Sequence, residues 1–212
     1  MAALPILYSF RRCPFAMRAR MAIMISQQPV QLREVRLADK PDEMTALMGA
    51  PTVPLLVDQG RVVEESLQVM HWALAHNDPE NWLASANNPL IAQNDGPFKH
   101  DLDRYKYASR YEDGDAMAHR DGGVRHLQML EQRLERAAFL DGTVRSFVDI
   151  ALFPFVRQFR IPDKGWFDAQ PLPHLHQWLS TLTDSVLFVG VMEKYPVWKD
   201  TGKAFVFPDP NA

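Results

Sequence analysis

A chain of 212 residues, 47% of them hydrophobic, is long enough to bury one large core or two small ones. Its formal net charge of -3, with lysine and arginine scattered, supplies no basic field for a polyphosphate and argues against nucleic-acid binding. One cysteine excludes an internal disulfide or a cysteine-rich metal cluster, and no segment approaches the roughly 20 apolar residues of a bilayer span. Met1 to Tyr8 lacks the positive region and apolar run of a signal peptide, so the expected location is the cytoplasm.

Pro5 to Ser9 is apolar and strand-like, and Met17, Met21, Met24 and Ile25 then recur at helical spacing. Val30 to Leu37 forms a second β-type stretch between Pro29 and the polar group Asp39 to Asp42. Leu55 to Val57 leads through Asp58-Gln59-Gly60-Arg61 into Val62 and Val63 as a hairpin, and Leu67, Met70 and Leu74 mark a closing helix. The order β-α-β-α-β-β-α predicts a small mixed sheet with packed helices over residues 1–77. Asn77 to Pro89 reads as a linker. Beyond it the stripes Leu127, Leu130, Leu134, Ala138 and Leu175, Trp178, Leu179, Leu182 predict an all-helical second domain over residues 90–212.

Cys13 falls between the first strand and first helix, in Arg11-Arg12-Cys13-Pro14-Phe15-Ala16, with Pro14 suited to the first helical position. A lone cysteine is ordinarily a small buried hydrophobe. A structural role gains nothing, however, from a helix start beside two arginines, where amide N–H groups and the helix dipole favour a thiolate. Position 16, the place of a second cysteine in a dithiol protein, is Ala16. Disulfide chemistry here must therefore be monothiol, with an external thiol releasing the product.

The run Cys13-Pro14-Phe15-Ala16, followed by Arg18 and Arg20, resembles the thioredoxin-like half of glutathione transferases, particularly the omega class and its bacterial relatives. Thr52-Val53-Pro54 resembles the family's Val-Pro step before the third strand, and Glu65-Ser66 its Glu-Ser pair. The resemblance implies a glutathione transferase fold with an α/β thioredoxin-like domain followed by a helical bundle. It implies Cys13 as nucleophile, Val53 and Pro54 on the peptide backbone of glutathione, Glu65 and Ser66 on its γ-glutamyl end, Lys40 near its glycyl carboxylate, and Phe15 beside it. A serine hydroxyl and helix-start N–H groups suit a carboxylate, and Glu65 an ammonium. Glutathione is then a co-substrate, with no permanently bound cofactor, no metal and a homodimer as the expected assembly.

Ser146-Phe147-Val148-Asp149 resembles the capping box opening the central helix of the family's second domain, so Asp149 is read as structural. Arg104, Tyr105 and Tyr107 are candidates for a second-substrate site that would take a small electrophile or disulfide. Cysteine forms mixed disulfides with glutathione readily, which favours thiol transfer to disulfides, dehydroascorbate or glutathionyl conjugates. Two other readings stand beside this one. Conjugation of electrophiles would need a hydroxyl such as Tyr8 or Ser9, and a non-catalytic binding module would need no working site at all.

Overall fold

Buried and half-exposed side chains alternate along Val30–Glu34, as a strand covered on one face requires. This segment, β2, lies parallel to β1 (Ile6–Ser9), with Leu7 opposite Leu32. The parallel pair needs a crossover, supplied by α1 (Pro14–Ser26). The computed structural model describes residues 3–111 and 115–209. In it β3 (Leu55–Asp58) runs antiparallel to β1, and β4 (Arg61–Val63) returns along β3. Gln59 and Gly60 carry φ of 49° and 83°, the pair of positive values that a tight two-residue hairpin needs. Helices α2 (Asp42–Leu47) and α3 (Ser66–His76) complete the expected β-α-β-α-β-β-α order.

The helical half contains α4 (Pro89–Gln93), α5 (Lys99–Lys106), α6 (Ala116–Leu134), α7 (Phe147–Arg160), α8 (Lys164–Asp168) and α9 (Pro173–Thr183). Phe147, Phe153, Phe155, Phe159, Leu175 and Trp178 form the interior of this unit. The chain divides into one unit of Met1–Pro79 with Val186–Ala212 and another of Glu80–Ser185.

This division differs from the expected 1–77 and 90–212. Helix α10 (Val186–Val191) packs on α1, with Gly190 close against the end of the Met24 side chain. A Cβ at Gly190 would meet Met24 Cε at 2.8 Å. After α11 (Trp198–Thr201), strand β5 (Phe205–Phe207) pairs antiparallel with β2, giving the sheet order β4-β3-β1-β2-β5. The last stretch is therefore neither all-helical nor part of the helical unit.

The expected linker also carries structure, because Trp82 is fully buried in a short turn at Trp82–Ser85 and its indole donates to Glu80 at 3.0 Å. The Leu127, Leu130, Leu134 stripe ends with α6, and Ala138 is exposed beyond it. Among the described residues no helix is long and apolar enough to cross a membrane.

Candidate active site

Cys13 is the N-cap of α1, in extended conformation, with Pro14 at the first helical position. Its carbonyl accepts the Met17 N–H at 2.9 Å and its own N–H donates to Phe10 O at 3.0 Å, so the turn and helix start are fixed by backbone bonds. The first-turn amides of an α-helix have no internal use and surround this end. The half-buried sulfur lies 3.6 Å from the Val53 carbonyl oxygen, within reach of a thiol donor, and packs against Tyr8, Val35, Met44, Val53 and Leu55.

Val53 also lines a cavity of about 230 Å³, together with Phe15, Thr52, Pro54, Glu65 and Ser66. Three separate chain segments thus converge on one concavity beside the cysteine. The Val53-Pro54 peptide is cis. Glu65 caps α3 with φ of 60°, a left-handed backbone that is costly for a residue with a side chain and that recurs at functional sites. Ser66 is buried, its hydroxyl accepting from Arg18 Nε at 2.9 Å, and the Arg18 guanidinium lies 5.0 Å from the Phe15 ring centre. A buried positive charge is thereby placed directly behind the serine. Arg18 and its bond to Ser66 are a feature that local pattern does not reveal.

Lys40 does not line this cavity. It stands in the Arg36–Asp42 stretch, where its carbonyl accepts from Lys199 at 3.4 Å and Lys199 also pairs with Asp39. Arg11 reaches the Met192 carbonyl at 3.4 Å and the Arg12 guanidinium stacks 5.4 Å over Phe10.

The hydroxyls considered as alternatives to the thiol are both buried. Tyr8 Oη accepts from Arg33 Nη1 at 2.9 Å, and its ionisation is pushed up by burial. Ser9 Oγ is buried without a hydrogen-bond partner.

In the helical unit, Tyr105 is buried 5.0 Å from Phe159, its hydroxyl without a hydrogen-bond partner. Arg104 lies 4.6 Å over the Tyr111 ring, while Tyr107 is exposed and flanked by Lys106 and Arg110. These candidates do not share one surface of that unit, since Tyr105 belongs to its core. A larger cavity of about 590 Å³, walled by Arg157, Arg160, Asp168 and His176, holds none of the residues expected to bind glutathione. Its size is therefore no guide to the chemistry.

Residues 7–82 match the profile of the glutathione S-transferase N-terminal domain and residues 92–180 that of the glutathione S-transferase C-terminal domain. Glutaredoxin 2 of Escherichia coli (strain K12) is 27% identical over 185 residues, covering 73% of this chain and 85% of the glutaredoxin. The crystal structure of glutathione transferase Omega 3C from Trametes versicolor superposes with a TM-score of 0.76 at 18% identity, covering 93% of each chain. A glutathione S-transferase from Rhodospirillum rubrum F11 gives 0.72 at 17% identity, covering 91% of this chain and 94% of its own. At such identities the structural likeness speaks for the fold, and the matched profiles speak for the family. The chain belongs to the glutathione S-transferase family, whose co-substrate is glutathione.

Proposed function

We propose that this protein is a glutathione-dependent thiol transferase with Cys13 as its nucleophile. The observation that carries the reading is the position of Cys13 at the start of α1, its sulfur against the Val53 carbonyl that borders the cavity of Phe15, Pro54, Glu65 and Ser66.

The Cys13 thiolate attacks the glutathione sulfur of a mixed disulfide. The S–S bond breaks, the substrate thiolate leaves and takes a proton, and a Cys13–glutathione disulfide forms. A second glutathione, as thiolate, attacks the glutathione sulfur of that disulfide, releasing oxidised glutathione and restoring the Cys13 thiolate. Val53 would align the peptide backbone of glutathione. Ser66, backed by Arg18, would take the γ-glutamyl carboxylate and Glu65 its ammonium. Lys40, which does not line the cavity, would take the glycyl carboxylate. With a glutathionyl conjugate the Cys13 thiolate would again attack the glutathione sulfur, but a C–S bond breaks and the substrate carbon leaves as a stabilised carbanion that takes a proton. Arg104 and Tyr107 stay candidates for the second substrate, while Tyr105, buried in the core, is set aside.

Conjugation would need a hydroxyl to stabilise the glutathione thiolate. The burial of Tyr8 Oη against Arg33 and the burial of Ser9 both speak against that role. Parallel assays of the wild type on a glutathionyl mixed disulfide and on an aryl halide test the reading. Reduction should exceed conjugation by about 100-fold or more in kcat/KM. A wild type that conjugates and reduces nothing would sink it, and silence in both assays would favour a binding module.

A further inference from the structure

Arg20 on α1 and Glu34 on β2 are 0% and 7% exposed, and neither lines the cavity beside Cys13. Taking charges out of water is costly unless the fold uses them. Both converge on the backbone of one residue. Glu34 Oε1 accepts the Arg11 N–H at 2.7 Å, and Arg20 Nη2 donates to the Arg11 carbonyl at 3.0 Å. Arg11 therefore has both of its backbone polar groups held by buried side chains. The same turn closes through the Cys13 N–H on Phe10 O.

Arg20 Nε and Nη1 and Glu34 Oε2 are buried without hydrogen-bond partners, so the hydrogen bonds of this pair go to the Arg11 backbone, while their charges attract each other and the Arg20 charge also acts on Cys13. The Arg20 guanidinium is lowered to about 10 by burial and so stays charged at neutral pH, while burial pushes the Glu34 carboxyl up.

We propose that Arg20 and Glu34 are positioning residues, which clamp the Arg11 backbone on both sides of its Cα so that the Phe10–Cys13 turn presents the Cys13 sulfur to the amide end of α1. The clamp rests on the thiol-transfer reading only for its effect on turnover. Its effect on the reactivity of Cys13 stands apart, because alkylation needs no glutathione.

The test is the rate of alkylation by iodoacetamide at neutral pH in wild type, Glu34→Gln and Glu34→Met, with circular dichroism verifying the fold. Cys13 is the sole cysteine, so the rate reports on it alone. Both substitutions remove the same charge, and only glutamine keeps an oxygen for the Arg11 N–H. Glu34→Gln should stay within about threefold of wild type, and Glu34→Met should be slower by about tenfold or more. In disulfide reduction, kcat should fall in step while KM for glutathione holds.

If Glu34→Met does not fold, Arg20→Met/Glu34→Met removes both charges, so that neither is left buried alone, and it should be alkylated about tenfold or more slowly than Arg20→Met/Glu34→Gln, which has the same charges and keeps the oxygen for the Arg11 N–H. Equal rates in the glutamine and methionine variants, single or double, would overturn the clamp. A wild type that shows the clamp dependence in alkylation but reduces no disulfide would defeat the thiol-transfer reading and leave the clamp standing.

Discussion

Cys13→Ala is expected to lose glutathione-dependent disulfide reduction by about 1000-fold or more while keeping its stability within about 1 kcal/mol of wild type. The asymmetry follows from what the sulfur touches. It is half-buried at the rim of the Tyr8, Val35, Met44, Val53 and Leu55 cluster, so its removal opens little space in the core. Nothing nearby can take over its chemistry. The chain holds no second thiol, Ser9 is fully buried, and Tyr8 Oη is engaged by Arg33. A coupled assay of mixed-disulfide reduction, with thermal unfolding as control, reads both halves of the expectation. A folded variant that retained a tenth of the activity would make Cys13 a bystander.

The second large effect is on folding, at Asp149. Its carboxylate is fully buried and accepts from the Leu140 N–H at 2.8 Å, the Ser146 N–H at 2.9 Å, the Ser146 hydroxyl at 2.7 Å and the Trp178 indole at 2.8 Å. The Ser146–Asp149 capping box thus opens α7 and ties it to the loop at Leu140 and to α9. Asp149→Ala leaves the buried Leu140 N–H and Trp178 indole unanswered and the half-buried Ser146 donors without their acceptor, and about 4 kcal/mol should be lost. Asp149→Asn should recover about half of that, because its oxygen can still serve Leu140 and Trp178 while the Ser146 hydroxyl reverses to accept.

Burial raises the Asp149 carboxyl above its ordinary value in spite of these donors. The folded state therefore binds its proton more readily than the unfolded chain. Acidification through the window above the unfolded value near 3.9 accordingly adds stability at this site instead of removing it. Urea unfolding of the two variants, with turnover measured on the folded fraction, checks the ranking. Wild-type stability in Asp149→Ala would contradict the structural assignment.

Where sequence reading succeeded, the signal was local. Cys13-Pro14 at a strand-to-helix junction, the Gln59-Gly60 turn and the Ser146–Asp149 box each place their chemistry within a few residues, and the structure has the turn, the helix start and the box as expected. The resemblance names Val53, Pro54, Glu65 and Ser66 together, and the fold brings them to one cavity with Phe15. What escaped depends on contacts far apart in the chain. Phe205–Phe207 is too short to announce a strand, and its pairing with Val30–Leu32 spans most of the sequence. Arg18 and Arg20 belong to the run that carries the resemblance, but their partners, Ser66 and the Arg11 backbone, are not legible from that run. Lys40 rests on resemblance of position alone, and the Lys199 and Asp39 pairing beside it is not foreseeable from the residues around it.

The most direct measurement is the intact mass of the protein after brief exposure to a glutathionyl mixed disulfide and quenching with acid. The expected result is a gain of one glutathionyl group, mapped to Cys13 by peptide analysis, removed by reduced glutathione at a rate competent for turnover, and absent in Cys13→Ala. A wild type that turns over the disulfide without ever carrying the adduct, or an adduct that free glutathione cannot remove, would contradict it.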